Sequence, residues 1–377
     1  MKSCQVIFDV AILIAISLLP EIKVAADPLS MPAPLKFDGG PLGELQVQGI
    51  LSGAATWQDY PVSQDDSGRF DVTNAQLIVQ KNTGSVQFFV QGGAYNFPTV
   101  GVPLSATPDV IRNLYGPIPE AYIKWVVTDS FSIDVGKLPT LVGAESAWTW
   151  SNYNIERGLL WNLENTITRG VQFSYAAGPI NASLAWTDGF YSGRYNTLSG
   201  SLSWAINSTN TFTTVFYDNL GNTPYGSSAD PEALNNSQTG NLIYAYSSGP
   251  WVVSPYLQYI YSPKSNTLGY TRSNDCFGAA VLADYSFSKK FSLGARIEYL
   301  TSSGAGNISP NNNLLGYGPG SRAWTFTLTP TWQEGGFFAR AEISYVRLAD
   351  YAAGLAFGEQ SDQPGQLRGL IETGVMF

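Results

Sequence analysis

The sequence predicts an all-β fold, a closed transmembrane antiparallel up-and-down β-barrel of about sixteen strands, within a range of roughly twelve to eighteen. Three observations lead to this prediction. Apolar and polar residues alternate with a period of two along most of the chain, short turns alternate with long polar connections, and the chain ends in an alternating segment whose last residue is Phe377. Such strands present one face to lipid and the other to water.

The N-terminus predicts export. Lys2 precedes an apolar run at 10–19, which is followed by the small residues that a signal peptidase accepts at 24–26. We therefore expect residues 1–26 to be a cleaved signal peptide, residues 27–42 an N-terminal lead and residues 43–377 the barrel. The apolar run is shorter than the roughly 18 residues of a spanning helix, and no later segment approaches that length.

Composition argues against several functional classes. Charged residues make up 13% of the chain and aromatic residues 13%, the net charge is -9, and there is no histidine. An acidic chain is a poor candidate for nucleic-acid binding, and without histidine the commonest general base and zinc ligand are missing. Cys276 is the one cysteine left after the signal peptide is removed, so no internal disulfide is expected. The acidic turn at 64–68 lacks the spacing of a calcium loop. No catalytic residue, metal or cofactor is predicted.

The strand pattern starts in the segment 45–57, where an apolar face alternates with a face of mostly polar and small residues. The same pattern recurs at 120–127, 180–187, 197–206, 291–299, 324–332 and 337–345. Tryptophan and tyrosine recur near the segment ends, as the aromatic girdles of a membrane barrel require. Because hydrocarbon offers no partner for a free backbone N–H or C=O, these strands are expected to close into a ring.

The connections alternate between short and long. Short turns are predicted at 82–85, 128–130, 177–179, 207–210, 248–250, 288–290 and 333–336. Longer polar loops are predicted at 58–68, 96–119, 218–237, 262–275, 301–321 and 349–364. This arrangement is typical of a barrel with a periplasmic rim of turns and an outer rim of loops.

Eight charged residues of the predicted strands fall on the polar face of the pattern. A lipid-facing arginine or lysine at the membrane midplane costs about 2–4 kcal/mol, so we assign these residues to the lumen. The predicted lumen-lining residues are Lys124, Asp134, Arg296, Glu298, Arg340, Glu342, Arg368 and Glu372. Arg340 with Glu342, and Arg368 with Glu372, are expected to form a ladder of charges across neighbouring strands.

The connection at about 139–166 combines opposite charges with four aromatic residues. A connection of this length in a compact fold is usually functional, and we expect it to fold inward and narrow a pore. The predicted constriction residues are Lys137, Glu145, Glu156, Arg157 and Arg169. Opposite charges across a constriction weight ion passage, although the same residues can also pair with one another to pin the loop. Both roles stay open, and the mixed signs leave the ion preference open with a mild bias toward cations.

The region 136–171 resembles the OmpL-like beta-barrel porin family. The matching residues are Gly136-Lys137, Gly143-Ala144-Glu145, Asn152-Tyr153-Asn154, Glu156 to Trp161, and Thr168-Arg169-Gly170-Val171. The chain differs from the family pattern at Asn165, where proline is usual, and at Arg169, where histidine is usual. The resemblance implies passive diffusion of small solutes and ions through a water-filled channel. The terminal Phe377 resembles the recognition signal read by the barrel assembly machinery of the bacterial outer membrane.

Two other functions are weighed against a channel. One is a soluble exported β protein that binds carbohydrate through its aromatic residues, and the other is a hydrolase carried on a barrel. A hydrolase needs a base to activate its nucleophile, and the chain has no histidine for that task. The expected partners are outer-membrane lipid, the barrel assembly machinery, small solutes and ions, and, by analogy with barrels of this size, two further copies in a homotrimer.

Overall fold

The computed structural model describes residues 29–63, 65–224, 229 and 231–377. The predicted signal peptide at 1–26 lies outside the described residues. Strands dominate the described part, its helices are short, and none of these helices is long and apolar enough to cross a bilayer.

Seventeen strands form one sheet in the described part of the chain. They are β1 (Leu35–Asp38), β2 (Glu44–Gln58), β3 (Gly68–Lys81), β4 (Val86–Tyr95), β5 (Glu120–Thr128), β6 (Phe131–Pro139), β7 (Ile167–Ala177), β8 (Ile180–Thr187), β9 (Thr197–Asn207), β10 (Asn210–Asn219), β11 (Gln238–Ser248), β12 (Trp251–Ser262), β13 (Asn274–Ser286), β14 (Phe291–Ser302), β15 (Arg322–Glu334), β16 (Phe337–Ala349) and β17 (Gly365–Met376). Strands β2 to β17 each pair antiparallel with the next, and β17 pairs back onto β2. These sixteen strands therefore close into a barrel, which confirms the predicted fold class.

The pairing of β17 with β2 forms the seam of the barrel, and the additional strand β1 extends the sheet where this seam ends. It pairs with β2 from Leu35 opposite Val47 to Asp38 opposite Glu44. Strand β17 reaches only as far as Gly49, whose N–H donates to the Phe377 carbonyl at 2.9 Å. The Phe377 ring lies against Gly49, and a Cβ at that position would be 2.2 Å from the ring. Glycine thus lets the terminal aromatic residue cover the seam.

Turns and loops lie at opposite ends of the barrel, as predicted. The turn end also carries Phe377 and β1, and its connections are short Gly-, Asn- and Ser-containing turns. The eight loops at the other end are L1 (59–67), L2 (96–119), L3 (140–166), L4 (188–196), L5 (220–237), L6 (263–273), L7 (303–321) and L8 (350–364). L4 is absent from the predicted loops, since its aromatic residues resemble strand composition.

Helical segments occur in the loops. Helix α1 (Thr107–Asn113) belongs to L2, and helix α2 (Glu232–Asn235) belongs to L5. Helix α1 has proline in its first turn, with Asp109 near its start and Arg112 near its end, which suits the helix dipole. Single 3-10 turns occur at Gly40–Leu42, Thr149–Ser151, Trp161–Leu163 and Pro310–Asn312.

The two faces of the barrel differ as the alternation predicts. On β16, Arg340, Glu342 and Ser344 point inward and are buried, whereas Ile343 is 52% exposed on the outward face. Loop residues pack against the inner wall in a hydrophobic cluster that includes Leu159, Tyr256 and Leu282. The loops therefore occupy part of a bore that side chains from the wall are too short to fill.

Candidate functional site

The candidate functional site is L3, which runs from β6 to β7 and crosses to the opposite inner wall. Its polar contacts reach inward-facing side chains on β12 and on β14 to β17, and its leucines enter the inner hydrophobic cluster. The loop lies between Pro139, the last residue of β6, and Ile167, the first residue of β7.

Two glutamates on the wall hold the L3 backbone. The Glu298 carboxylate accepts hydrogen bonds from the N–H groups of Leu159 at 3.0 Å and Leu160 at 3.1 Å. The Glu342 carboxylate accepts from Ile155 at 2.5 Å and Glu156 at 2.8 Å. Each carboxylate thus receives two consecutive backbone donors, an arrangement that suits a negative charge. These four bonds fix the path of the loop.

An arginine of the wall pairs with the first half of L3. Arg296 Nη1 lies 2.6 Å from Glu145 Oε1 and also donates to the Glu156 carbonyl at 2.7 Å. Glu145 Oε2 in turn accepts from the Gly158 N–H at 2.9 Å. Glu145 and Arg296 are both buried, so the ion pair and its hydrogen bonds act together to hold the loop.

The 3-10 turn at Thr149–Ser151 is held by the last two strands. Arg340 pairs with Glu372, its directly opposite residue, and donates to the Thr149 carbonyl at 2.9 Å and the Asn152 carbonyl at 3.1 Å. Glu372 also accepts from the Thr149 hydroxyl at 2.9 Å. The predicted ladder on these strands therefore joins Arg340 to Glu372 and extends into the loop.

Arg368 connects L3 to L2. Its Nη1 lies 2.6 Å from Glu156 Oε1 and donates to the Thr99 carbonyl at 2.9 Å, and its Nη2 donates to the Val102 carbonyl at 2.8 Å. Glu156 is fully buried and also accepts from the Ser344 hydroxyl at 2.5 Å. Arg368 thus pairs with a loop residue rather than with Glu372.

Glycine on the wall allows the L3 backbone to approach closely. A Cβ at Gly294 on β14 would lie 2.4 Å from the Tyr153 carbonyl oxygen, which is a backbone atom that has little freedom to move. A Cβ at Gly278 on β13 would meet the Leu160 side chain at 3.0 Å. The wall is therefore shaped to receive the loop.

Arg157 is fully buried between L3 and L2. Its guanidinium lies over the rings of Phe97 and Trp161, at 5.9 and 5.5 Å, and donates to the Asn96 carbonyl at 3.4 Å. Its Nε and Nη1 have no hydrogen-bond partner within the described ranges. Burial lowers the pKa of Arg157 to about 10. The residue stays charged at neutral pH and is stabilised by the aromatic faces.

Lys137 and Arg169 form a separate group at the loop end of β6 and β7, where they are directly opposite each other. Lys137 Nζ donates to the carbonyls of Tyr115 at 2.8 Å and Ile118 at 2.7 Å. Arg169 pairs with the buried Asp188 of L4 at 2.7 Å and stacks on Tyr191 at 3.9 Å. The structure thus divides the five predicted constriction residues. Glu145, Glu156 and Arg157 lie in the buried network, and these two cations anchor L2 and L4.

The eight predicted lumen-lining residues all lie on the inward parity of their strands. Seven are buried, and Lys124 is partly buried. Lys124 and Asp134 are opposite each other on β5 and β6. The other six, on β14 to β17, contact L3, contact one another, or do both, and L3 thereby covers that side of the wall.

Glu164 closes L3 against β12. Its Oε1 accepts hydrogen bonds from the Tyr256 hydroxyl and from Gln258 Nε2 at 2.8 Å. A Cβ at Gly143, which has φ +93°, would lie 1.8 Å from Glu164 Oε2, so this carboxylate requires glycine beside it. Burial raises the pKa of Glu164 to about 8.

An open cavity of about 480 Å³ remains between L2, L3, L4, L5 and the strands β2, β3 and β17. Its charged lining residues are Arg69, Asp71, Asp109 and Glu164. Asp71 accepts from the Thr107 N–H at 2.7 Å, so one of these charges also holds helix α1.

The N-terminal lead covers part of the turn end of the lumen. Ser30 and Gln333 exchange two hydrogen bonds, at 2.8 and 2.7 Å, and Gln48 donates to the Pro32 carbonyl at 3.0 Å. Leu29 is fully buried in a cluster with Ile50, Ile78, Phe338 and Met376, against which Trp150 of L3 also packs. Sequence reasoning missed this contact and the part played by L2, because neither segment has a periodic pattern that predicts what it touches.

The comparisons with known proteins agree with this architecture. The family described as "Putative beta-barrel porin-2, OmpL-like" matches residues 44–377. Among curated proteins, none matches the chain in sequence.

Solved structures of bacterial proteins have a similar fold. The outer membrane channel DcaP of Acinetobacter baumannii has a TM-score of 0.59 at 10% identity, over 92% of this chain and 100% of that chain. OmpF of Salmonella typhi, in complex with daunomycin, has a TM-score of 0.59 at 12% identity, over 91% and 100%. OmpT of Vibrio cholerae has a TM-score of 0.57 at 11% identity, over 91% and 99%. At these identities the likeness shows the fold alone.

The family match covers the whole barrel, including L3 and the residues that hold it. The chain therefore belongs to the OmpL-like beta-barrel porins and is an outer-membrane channel for passive diffusion of small solutes.

Proposed function

We propose that L3 narrows this channel and that solutes pass between L2 and the second half of L3. The observation that carries the proposal is the anchoring of L3 on the far wall. There the carboxylates of Glu298 and Glu342 accept hydrogen bonds from four backbone N–H groups of L3. The open cavity lies on the other side of the loop, beside L2. Glu145, Glu156 and Arg157 then act by holding the loop in place.

We propose further that the path favours cations. Its charged lining residues besides Glu164 are Asp71, Asp109 and Arg69. Burial raises the pKa of Glu164 to about 8, so this carboxyl group is mostly neutral at pH 7. Charges that line a narrow, low-dielectric passage raise the local concentration of the opposite ion. A net negative lining therefore attracts cations.

Reversal-potential measurements across a potassium chloride gradient test this selectivity. Single channels of the wild-type protein are expected to favour potassium, and Asp71→Asn is expected to reduce that preference. Asp129→Asn, at an exposed turn on the opposite rim, is the matched control and is expected to have no effect. A preference for chloride, or equal potentials for wild type and Asp71→Asn, contradicts the proposal.

The remaining partners are also proposals. We infer assembly by the barrel assembly machinery from the terminal Phe377, and a homotrimer by analogy with barrels of this size. We also propose that the channel has no catalytic activity. The chain contains no histidine, and Cys276 is buried on β13.

A further inference from the structure

A row of aromatic and basic side chains crosses the outward face of β14, β15 and β16. Tyr299 is directly opposite Trp324, and Trp324 is directly opposite Arg347. The rings of Tyr299 and Trp324 lie 4.6 Å apart. Trp324 is 43% exposed, and Arg347 is also exposed, so the row faces away from the lumen.

The height of this row follows from the length of β15. Trp324 and Trp332 both face outward near opposite ends of the strand, and Phe326 and Leu328 lie between them on the same face. Eight residues that rise about 3.3 Å each, on a strand tilted by about 40°, span roughly 20 Å along the membrane normal. That distance is close to the apolar band of a membrane barrel. Trp324 and Arg347 therefore lie at the upper boundary of the hydrocarbon, at the loop end.

The Arg347 guanidinium has no ion pair or hydrogen bond to any residue of the described chain. Arg322, the next outward-facing residue on β15 beyond Trp324, is exposed and pairs with Asp350. Two guanidinium groups thus lie beside an aromatic pair, with one carboxylate to balance them. A lipid-facing arginine is costly in hydrocarbon but tolerated at the interface, where it can reach the headgroups.

We propose that Arg347 and Arg322 bind the phosphate of an outer-leaflet lipid headgroup. A guanidinium presents paired N–H donors that match phosphate oxygens, and the rings of Tyr299 and Trp324 suit the boundary between acyl chains and headgroups. The excess positive charge of Arg322 and Arg347 complements an anionic headgroup. The apolar outward face of β15 beside them complements the acyl chains. The site is separate from the lumen and does not depend on how L3 acts.

Native mass spectrometry of the protein in a neutral detergent, with diphosphoryl lipid A added, tests the proposal. The wild-type protein is expected to retain the lipid, and the double variant Arg322→Gln/Arg347→Gln to bind it at least tenfold more weakly. Lys290→Gln is the matched control, because Lys290 is an exposed cation paired with Glu334 at the opposite rim. Lipid A without its phosphates is expected to bind the wild type and the double variant alike.

Folding of each variant is checked by the shift in electrophoretic mobility between boiled and unboiled samples. If the double variant lacks this shift, Arg347→Gln alone is expected to bind lipid A more weakly than Arg347→Lys, which keeps the charge. Equal lipid A retention by the wild type and the folded double variant overturns the proposal. So does a change in the number of subunits with unchanged lipid retention, which would assign this face to a contact between copies.

Discussion

Glu164 is a carboxylate whose charge changes within the range of ordinary buffers. It is buried against Tyr256 and Gln258 and also lines the open cavity. Burial raises its pKa from 4.5 to about 8, so the folded loop holds a proton that an unfolded chain would release. The stabilisation from this proton is complete below pH 4.5 and is lost as pH rises through about 8.

Loss of this proton from Glu164 is expected to change the ion selectivity of the channel. Cation preference is expected to rise as pH increases from 7 to 9, because ionised Glu164 adds a negative charge to the path. Reversal potentials measured at each pH check this. Glu164→Gln is expected to remove the pH-dependent step, whereas Glu359→Gln, on the exposed part of L8, keeps it. A flat profile for the wild-type channel contradicts the prediction.

Gly294 lies on the wall beside the L3 backbone, and a Cβ at this position would be 2.4 Å from the Tyr153 carbonyl oxygen. Gly294→Val is expected to push the loop away from the wall and raise single-channel conductance or its noise, because the opposing atom is a backbone carbonyl. Planar-bilayer recordings measure both. Gly240→Val is the control, since a Cβ at Gly240 has no atom within 4 Å. Identical recordings from the two variants would show that this contact does not fix the loop.

At the scale of elements, L3 and the N-terminal lead are two separate segments that meet where Trp150 of L3 packs against the cluster around Leu29. L3 is held mainly by charges on β14 to β17, whereas the lead is held by Gln333, Gln48 and a small apolar cluster. Removing one partner of a buried ion pair costs about 3–5 kcal/mol, so L3 is expected to be the more firmly fixed of the two. The lead, with fewer partners, is the easier element to displace.

Leu29→Asp tests the contribution of the lead. A carboxylate has no partner in the cluster of Ile50, Phe338 and Met376. The lead is therefore expected to leave the turn end of the lumen. Single-channel conductance is then expected to rise with the reversal potential unchanged, because the charged lining of the path lies near L2. Leu42→Asp, at a 52% exposed position, is the control. Unchanged conductance for Leu29→Asp would mean that the lead does not limit flow.

At the scale of the whole molecule, closure depends on the pairing of β17 with β2. Each unpaired N–H or C=O in hydrocarbon would cost several kcal/mol, which is why the seam is complete as far as Phe377 and Gly49. Beyond Gly49, β1 continues the pairing. The last strand is therefore needed both to close the barrel and to display the terminal aromatic residue.

Phe377→Ala is expected to slow assembly into the outer membrane and to lower the fraction of protein that shows heat-modifiable mobility. Phe337→Ala is a matched control, because Phe337 is an outward-facing phenylalanine at the same rim and is 65% exposed. Pulse-chase measurements of the folded fraction compare the two variants. Equal assembly rates would leave Phe377 with a packing role at Gly49 alone.

The sequence by itself determined the fold class, the faces of the strands, and the order of turns and loops apart from L4. Each of these depends on local periodicity, which is written along the chain. It also placed Arg340 and Glu372 inside the barrel, because a charge on the lipid face is costly. The length and composition of L3 were enough to predict that this connection has a functional role.

Only the tertiary structure decided which groups meet inside the barrel. The carboxylates of Glu298 and Glu342 bind backbone N–H groups of L3, and such donors have no side-chain signature in a sequence. Arg368 meets Glu156 across more than two hundred residues, and Lys137 turns to carbonyls of L2. These contacts follow from closure of the ring, which brings distant segments into one lumen where every buried charge must find a partner.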